Sequence, residues 1–501
     1  MFNRAIGSLA LCLVTTSIYA QASAPVLEEV LVTAQKRVEN VQDIPVTINV
    51  VAAQQLDHFS IRNTADLAES VPGLTIQPTP QNLAQVAIRG LGTGSASESL
   101  DQSVGLFVDG IWSGRVRDFQ AALFDVERVE VIKGTQNTLL GKNTSLGALS
   151  IISTPPGENF GGYLQGNYET RFDSHYLTGA VNLPTALGFY RLAFNAVEEE
   201  GYVDNNATGA EVPEREQTTL RLSALYPLGD SGALRLTYEY DDLHITGDSF
   251  QPDQDSLGFI RAMDPSADIG LDTDKYAVTS YSRGGDADDE QKSQRVVGLY
   301  EQGIGDHTLT FLSGWSEYDN DRLTDTDFLS VDYLTSVFSS DYEQFTQEIR
   351  LASPDEGHID YLLGIYYHDS RLDYTNVTDS AFPPPFTVGP LPVDSASLLS
   401  YQQDTKIFSA FAQTGIELNE RWRVALGLRY TEESKDGLWA RERLRSGGLL
   451  ADVLADLLSP VVPATDLQRN EYNLDGSFSL QVELSPQLMA YASWASGSKS
   501  G

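Results

Sequence analysis

The acidic side chains are the residues in this sequence best placed to do chemistry. Residues 241–290 contain thirteen carboxylates and only three basic side chains. Clustered carboxylates are ligands that divalent cations such as Ca²⁺ prefer, so cation binding is the chemistry to consider. The segment contains no Asp-x-Asp-x-Asn-Gly loop, and nothing in its spacing specifies a ligand geometry. We therefore interpret it as a solvated acidic loop suited to a salty medium.

The other reactive side chains give no catalytic or metal-binding pattern. The six histidines are scattered, without the short spacing of zinc ligands. The sequence contains neither a Gly-x-Ser-x-Gly nor a His-Glu-x-x-His motif. Gly141-Lys142 is similar to a phosphate-binding loop, but Gln136 stands in place of its first glycine and Asn143 in place of its hydroxyl residue. The sequence therefore predicts no catalytic residue, no metal site and no bound cofactor.

The composition excludes nucleic acid as a partner and favours strands. The 501 residues carry a formal charge of −37, whereas a phosphate backbone requires a basic protein face. The 23 Tyr, 20 Phe and 41 Gly residues are typical of strands and turns. No apolar run reaches the roughly 18 to 20 residues of a membrane-spanning helix, so we do not expect a helical membrane protein.

Residues 1–22 have the pattern of a secretory signal peptide. Arg4 supplies the positive charge, and residues 5–17 form an apolar stretch too short to span a bilayer. A small-residue cleavage site follows at residues 18–22. Cys12 is the single cysteine and would be removed with the signal. We therefore expect an exported protein without disulfides.

Two elements precede the long strand-rich part of the chain. Residues 27–34 form a short β-prone run led by acids, which can add as a strand to another protein's sheet edge or be an ordinary first strand. Residues 41–155 predict a compact α+β domain. Within it, residues 52–59 and 64–71 have the pattern of short helices, and Asn63 can cap the second.

From residue 160 onwards apolar and polar side chains alternate. Between Trp422 and Tyr430, for example, one face is apolar and ends in aromatic residues, while the other is polar. An apolar face with aromatic ends is typical of a lipid-facing strand, whose polar face lines a wet interior. Alternation alone would equally suit a soluble sheet with one solvated face.

The connections between strands favour an outer-membrane barrel. Tight turns alternate with long polar loops, which we predict at residues 199–215, 242–290, 319–341, 371–404 and 434–470. Short periplasmic turns and longer external loops are typical of such barrels. We count about thirteen strands. The predicted fold class is therefore a transmembrane antiparallel β-barrel preceded by a small α+β domain.

Several motifs follow one another in the order found in a known family. They are Ile88-Arg89-Gly90, Gly105-Leu106-Phe107-Val108-Asp109-Gly110, the run Val126 to Gly134, Gly141, Gly147 and Ile151-Ile152-Ser153. This order resembles the plug domain of TonB-dependent outer-membrane receptors. The resemblance extends from about residue 27 to the last residue, and it is specific because several motifs recur in sequence.

The resemblance implies a division of the chain into four parts. These are a signal peptide at 1–22, a periplasmic segment with the TonB box at 23–40, the plug at 41–155 and barrel strands at 160–501. Barrels of this family close with about twenty-two strands, so we expect this chain to be the N-terminal part of a longer barrel. Open strand edges leave N–H and C=O groups unpaired in hydrocarbon, and we do not expect these residues alone to insert stably.

The resemblance also assigns candidate site residues. The TonB box corresponds to Glu28, Glu29, Val30, Leu31, Val32 and Thr33. The plug motifs and plug–barrel contacts correspond to Arg89, Gly90, Asp109, Gly110, Arg128, Glu130, Lys133 and Gly134. Of these, the resemblance makes Arg89, Arg128, Glu130 and Lys133 candidates for ion pairs with the barrel wall. The candidates to face an anionic ligand such as a ferric chelate are Trp112, Arg115 and Arg117.

The function implied by the resemblance is energy-coupled uptake of a scarce extracellular ligand through the Gram-negative outer membrane. The expected partners are outer-membrane lipid and, in the periplasm, TonB with its inner-membrane energy-transducing complex. A ferric siderophore is the expected ligand. A carbohydrate, cobalamin or another nutrient is the alternative, and a passive porin or adhesin barrel is a further class. An enzyme is not expected.

Overall fold

The computed structural model describes residues 31–77, 84–94, 98–119, 123–247, 250, 254–256, 258–265, 277–278, 287–355, 357–382, 393–448, 452–453, 456, 459–485 and 488–500. The predicted signal peptide and Glu28, Glu29 and Val30 of the predicted TonB box lie outside these residues. Within them, no helix has both the length and the apolar character needed to cross a membrane.

Residues 31–153 form a small α+β domain, which we call the plug because it lies within the curve of the large sheet described below. Its elements in chain order are β1 Leu31–Val32, β2 Glu39–Asn40, β3 Thr47–Ala52, α1 Ala53–His58, α2 Thr64–Ser70, β4 Leu74–Gln77, β5 Gln85–Ile88, β6 Leu91–Gly92, β7 Val104–Val108, β8 Ile111–Trp112, a 3₁₀ turn Arg117–Phe119, β9 Val126–Lys133, α3 Asn137–Leu140 and β10 Gly147–Ser153.

Local sequence predicts the positions of the plug helices α1 and α2. The Asn63 side chain accepts a hydrogen bond from the Asp66 amide at 2.9 Å, and the Asp66 carboxylate accepts one from the Asn63 amide at 3.3 Å. This reciprocal cap satisfies amides that a short helix cannot pair internally. Both helices lie where the sequence predicts them, and each shortens by about one residue at its ends.

The plug core is a five-stranded sheet with the order β3-β9-β10-β7-β8. β10 runs antiparallel to β9 and parallel to β7. Val129, Val131 and Leu149 of this sheet are fully buried, as is Leu67 of α2. A second sheet, β4-β5-β6, packs into the same hydrophobic cluster. Burial of these aliphatic side chains stabilises the plug.

A 13-stranded antiparallel sheet forms the rest of the fold, and we call it the barrel wall. Its strands are β11 Gly161–Glu169, β12 Ser174–Pro184, β13 Phe189–Glu199, β16 Glu214–Leu228, β17 Gly232–Thr246, β19 Asp288–Ile304, β20 His307–Asp325, β21 Leu334–Ala352, β22 Ile359–Phe382, β23 Val393–Asn419, β24 Trp422–Arg445, β25 Val462–Ser485 and β26 Leu488–Ala495. The loops contain β14 Val203–Asn205, β15 Glu211–Val212, α4 Phe259–Met263 and β18 Ala277–Val278.

Each wall strand pairs with its neighbour in chain order, and the predicted number of thirteen strands is confirmed. Within the described residues, β11 and β26 are the two edges of the sheet. Short turns join one end of the strands, and longer connections join the other end, except for the four residues between β11 and β12. We therefore assign the tight-turn end to the periplasm and the loop end to the exterior.

β24 shows the height of the lipid-facing band. Leu426 and Leu428 are 44% and 53% exposed, whereas the alternate residues Arg429 and Thr431 are 2% and 1% exposed. The apolar outward face runs from Trp422 to Tyr430, or about 26 Å at ~3.3 Å per residue. A strand tilted by ~40° rises about 20 Å over this length, which is slightly less than the ~25 Å apolar band of outer-membrane barrels.

The predicted long loops are all shorter in the structure than in the sequence analysis, and three of them are shorter by several residues. β20 continues to Asp325, β22 to Phe382 and β24 to Arg445, so each strand extends into a segment predicted as loop. Beyond the apolar band the outward face is polar like the inward face, so the alternation of apolar and polar residues disappears. Backbone pairing continues nevertheless, because it does not depend on the side chains.

Candidate functional site

The N-terminal segment, residues 31–40, docks against the plug near the periplasmic ends of the wall strands. β1 and β2 pair as a short antiparallel hairpin. Val32 and Ala34 are only 1% and 2% exposed, and they lie in one hydrophobic cluster with Ile132 of β9. Leu31 remains 46% exposed. The C-terminal end of the predicted TonB box is therefore inserted into the plug.

Glu130 fixes the middle of this segment. Its Oε1 atom accepts hydrogen bonds from the Thr33 amide at 2.9 Å and the Thr33 hydroxyl at 3.2 Å. Arg128 Nε donates to the same oxygen at 2.8 Å. Glu130 is 1% exposed, so these charge-assisted hydrogen bonds compensate for its desolvation.

Two cations of the segment reach the barrel wall. Lys36 forms an ion pair with Glu348 of β21, and both side chains are largely buried. Burial lowers the pKa of Lys36 to about 8, although the Glu348 carboxylate opposes this effect. Arg37 donates a hydrogen bond to the Tyr361 carbonyl oxygen and lies 4.0 Å from Asp360. The segment is therefore held by the plug and by the wall.

The resemblance-based candidates for plug–wall ion pairs have other partners. Arg128 pairs with Glu127 and Glu130 inside the plug, and Lys133 donates to the Pro72 carbonyl at 2.6 Å. The prediction that these residues pair with the wall is therefore wrong, because β9 is a central plug strand with plug neighbours on both sides. Arg89 is exposed in the β5–β6 turn, without an ion pair among the described contacts.

Four of the predicted motif residues shape turns. Arg89-Gly90 and Asp109-Gly110 each have positive φ at both positions, as two-residue hairpin turns require. Asp109 also accepts hydrogen bonds from Ser153 of β10 and from Arg235 of β17, the latter at 3.1 Å. Although burial opposes the effect, Arg235 holds the pKa of Asp109 below its usual value.

A different set of buried charges joins the plug to the wall. The pairs are Asp109–Arg235, Asp118–Arg295, Arg117–Asp289, Asp101–Lys435, Lys142–Glu433 and Asp125–Arg191. Removing one member of a buried pair typically costs about 3–5 kcal/mol, because the other charge stays desolvated. Sequence reasoning missed most of these pairs. One sequence signal could have revealed the wall members of these pairs: each is a charged residue at an inward position of a strand whose other face is apolar.

The three residues predicted to face a ligand are already engaged. Arg117 is 1% exposed and pairs with Glu98 at 2.8 Å and with Asp289 at 3.4 Å. Arg115 pairs with Asp101 at 2.7 Å. Trp112 packs edge-to-face on His368 of β22. The prediction that Arg115 and Arg117 present free charge to an anion is therefore wrong in this structure, because neighbouring carboxylates neutralise both guanidinium groups.

The carboxylates considered for cation binding do not converge in the part of the chain that the structure describes, where no cluster suited to a metal ion occurs. Asp272, Asp274 and Asp286 lie outside the described residues. Asp289 instead accepts hydrogen bonds from Asn320 and Arg117 at the plug–wall interface.

A folded plug held by buried ion pairs against a curved wall of antiparallel strands defines the class of plugged outer-membrane barrels. Two family models match the chain. The TonB-dependent receptor plug domain matches residues 40–148, and the TonB dependent receptor-like β-barrel matches residues 229–501. The second match alone covers more than half of the 501 residues. The chain belongs to the TonB-dependent receptor family, whose members are transporters of the outer membrane rather than enzymes.

Individual relatives are distant in sequence. The pesticin receptor of Yersinia enterocolitica is 24% identical over 393 residues, covering 76% of this chain and 53% of the relative. The catecholate siderophore receptor Fiu of Escherichia coli K12 is 23% identical over 287 residues, covering 56% of this chain and 36% of the relative. The chain thus spans about half the length of the pesticin receptors it matches.

Solved structures share the fold. The ferric yersiniabactin uptake receptor FyuA from Yersinia pestis superposes with a TM-score of 0.72 at 18% identity, covering 89% of this chain and 64% of that one. The siderophore receptor PiuA from Acinetobacter baumannii superposes with a TM-score of 0.71 at 17% identity. The match covers 93% of this chain and 66% of PiuA.

Proposed function

We propose that this protein takes up a ferric siderophore across the outer membrane with energy supplied through TonB. The observation that carries the proposal is the docked N-terminal segment, residues 31–40, which ties the plug to the periplasmic end of the wall. Family membership supports energy coupling, and the relatives named as catecholate siderophore receptors support iron as the cargo.

The seated plug argues against a passive porin. Its ion pairs reach wall strands from β13 to β24, so the plug spans most of the interior of the described wall. In the part of the interior that the described wall encloses, a large solute would therefore meet the plug. The outer membrane has no energy source of its own, and the force must come from the periplasmic side.

The predicted TonB box would receive that force. Leu31 is exposed at the periplasmic end, while the following residues are anchored to Glu130 and Glu348. A strand added beside residues 28–33 would pair through main-chain hydrogen bonds. Pulling on it would then act on the Thr33–Glu130 and Lys36–Glu348 contacts first.

The test is uptake of radiolabelled ferric chelates by the native cell, with the product of the completed full-length gene either intact or lacking residues 28–33. Energy-coupled iron transport predicts that the deletion abolishes uptake while the protein stays in the outer membrane. No uptake in either form would contradict iron as the cargo and turn the search to sugars or cobalamin. Equal uptake in both forms would favour a porin.

A matched pair of substitutions sharpens the test. Leu31→Pro removes a backbone N–H and prevents strand addition at that position, whereas Leu31→Thr keeps the amide and the β propensity. We expect Leu31→Pro to reduce uptake at least tenfold and Leu31→Thr to leave it within about twofold. Similar uptake by the two variants would contradict strand addition at this segment.

A further inference from the structure

The inner face of the barrel wall carries no charge where five strands pass the loop-facing end of the plug. One residue from each of β20 to β24 forms a row of direct cross-strand neighbours, which are Asn320, Ser340, Tyr374, Tyr401 and Trp439. The row one step nearer the periplasm is also uncharged and consists of Tyr318, Tyr342, Leu372, Gln403 and Gly437. We call these ten residues the neutral rows.

Aromatic side chains dominate the neutral rows. The rings of Tyr318 and Tyr342 stack with their centroids 5.5 Å apart, and Tyr374 and Tyr401 pack against the same cluster. The plug residue Arg115 lies 5.8 Å from the centroid of the Tyr342 ring, so the cluster adjoins the plug. The face of an aromatic ring is electrically negative. It therefore attracts uncharged or cationic groups and repels anionic ones.

Two polar groups in the neutral rows lack a partner. Among the described residues, the Ser340 hydroxyl and the Asn320 side-chain oxygen make no hydrogen bond, and these residues are 1% and 2% exposed. The Asn320 amide nitrogen already donates to Asp289 and to the Glu290 carbonyl oxygen, so its oxygen stays available as an acceptor. A ligand N–H group can donate to this oxygen, whereas a carboxylate or phenolate oxygen only accepts.

The cations next to the neutral rows offer no net charge to an anion. Arg115 of the plug and Lys435 of β24 share one carboxylate, that of Asp101, each at 2.7 Å. Arg117 instead has two carboxylate partners, as described above. Three cations therefore face three carboxylates, and the group as a whole is neutral.

The segments above the neutral rows are strongly acidic. The five segments predicted as long loops contain 32 Asp and Glu residues against 11 Lys and Arg residues. Two of these cations, Arg322 and Arg441, lie on the wall one step above the neutral rows. Arg322 is 4% exposed, and its guanidinium lies over the Phe338 ring at 4.1 Å. Because the carboxylates outnumber the cations, the potential at the entrance is negative and repels anions.

We propose that the receptor selects a ligand without net negative charge, which binds against the neutral rows. The chemical class of this ligand rests on the proposed uptake of a ferric siderophore. Three hydroxamate groups, each with one negative charge, leave Fe³⁺ neutral, whereas three catecholate groups, each with two, leave a trianionic chelate. A neutral or cationic ferric hydroxamate therefore fits this site, and a ferric catecholate does not, although the relative Fiu is named for catecholate siderophores. A shared fold does not determine the chemistry of the site.

The first experiment measures the charge selectivity of the site and needs no siderophore. Residues 23–501 contain no cysteine, so Tyr401→Cys introduces a thiol into the neutral rows of the full-length protein, and the unsubstituted protein gives the background. A cationic methanethiosulfonate reagent should modify this thiol at least tenfold faster than an anionic one, with each rate divided by that for a free thiol. At about 1 M salt the ratio should fall, because the Debye length shortens to about 3 Å.

Leu187→Cys is the matched control. Leu187 is 80% exposed in the uncharged turn between β12 and β13, at the opposite end of the wall. The two reagents should modify this thiol at similar relative rates. If Tyr401→Cys prefers the cationic reagent no more than Leu187→Cys does, the proposal is overturned. A thiol at position 401 that neither reagent reaches overturns the assignment of the ligand to the neutral rows.

The second experiment tests whether local charge sets the selectivity. Asp101→Asn removes the carboxylate that Arg115 and Lys435 share, so the preference of the Tyr401→Cys thiol for the cationic reagent should fall at least fivefold. Asp306→Asn, in the exposed turn between β19 and β20, removes the same charge at the opposite end of the wall and should leave the preference unchanged. An equal effect from both variants overturns the proposal. If Asp101→Asn does not assemble, the rates measured with Asp101 intact decide.

The last experiment varies the charge of the cargo alone. A linear ferric trihydroxamate with a terminal amine carries one positive charge, its acetylated form is neutral, and its succinylated form carries one negative charge. Native cells should take up the first two at least tenfold faster than the third, with cells lacking the gene as background. Equal uptake of all three, or receptor-dependent uptake of a ferric tris-catecholate alone, overturns the charge selection and leaves iron uptake standing. If no ferric chelate enters, the proposed function fails, whereas the thiol rates still decide whether the site rejects anions.

Discussion

At the scale of single residues, buried charge determines how the N-terminal segment is held. Glu130 has no solvent to screen it, and Thr33 and Arg128 supply its hydrogen bonds. Hydrogen bonds to a charged group typically contribute about 1.5–3 kcal/mol each. Docking of the segment therefore depends on very few side chains, and each can be tested separately.

Glu130→Gln should loosen the segment without unfolding the plug. The neutral amide still fills the space, but its hydrogen bonds to Thr33 lose their charge assistance. We expect the Thr33 amide to exchange hydrogen at least tenfold faster, measured by mass spectrometry on the full protein. Glu127→Gln is the matched control, because Glu127 also pairs with Arg128 but is 46% exposed, where ion pairs contribute little. Equal exchange in the two variants would contradict the role of Glu130.

Docking of the segment should strengthen in acid. Burial raises the pKa of Glu39 to about 6 from 4.5, although Arg37 and Arg423 oppose the effect. Between pH 4.5 and about pH 6, Glu39 is protonated in the docked segment and ionised in the free segment. Proton binding therefore stabilises the docked form. This stabilisation is complete below pH 4.5 and is lost as pH rises through about 6. Protease protection of residues 31–40 should therefore increase from pH 7 to pH 5.

Glu39→Gln tests that pH dependence directly, because the amide does not titrate. The variant should show nearly constant protection over the same range, at a level close to that of the natural protein in acid. If the variant keeps the full pH dependence, the responsible group lies elsewhere.

At the scale of elements, tight backbone approaches determine where glycine is required. Gly147 begins β10 at φ +140°, and a Cβ added there would lie 2.2 Å from the Ile132 carbonyl oxygen. Gly134 ends the neighbouring strand at φ +96°, with open space around the added atom. The two positions share the cost of an unfavourable φ, but only Gly147 adds a clash with backbone.

Gly147→Ala should therefore be the more damaging substitution. We expect Gly134→Ala to cost about 1–3 kcal/mol from backbone strain alone, and Gly147→Ala to cost at least about 2 kcal/mol more, because β10 must shift away from β9. The measurement is the yield of trypsin-resistant plug in outer-membrane fractions. A similar yield from both variants would show that β9 and β10 can separate without cost.

At the scale of the whole molecule, the wall has a lipid-facing band with a definite height. Leu426 lies at the middle of the outward face of β24, between Trp422 and Tyr430. Asp436 faces outward on the same strand, about 33 Å further from Leu426 towards the loops at ~3.3 Å per residue. A side chain introduced at position 426 would therefore lie in hydrocarbon, and the same side chain at position 436 would lie in water.

Leu426→Arg should impair membrane assembly, whereas Asp436→Arg should not. An arginine at the bilayer midplane of a barrel costs about 2–4 kcal/mol, and the cost falls to about 0–1 kcal/mol near the interface. We expect a clear loss of heat-modifiable, folded protein for the first variant alone. Equal loss from both variants would place the apolar band elsewhere on β24.

The sequence by itself determined the class of fold. Period-two alternation predicted about thirteen strands, and the wall has thirteen within the described residues. The predicted Asn63 cap is also a local feature, set by residues a few positions apart. These predictions succeeded because hydropathy and turn chemistry act over short stretches of chain.

Only the tertiary structure decided which charges meet. Lys142 and Glu433 are 291 residues apart in sequence and 2.6 Å apart in space, and no local pattern joins them. The same holds for Glu130, whose partner is Thr33 rather than the wall, and for Arg117, which pairs with Asp289 rather than facing a ligand. A charged residue in a sequence shows only that burial will require a partner; the curvature of the wall around the plug determines which partner it is.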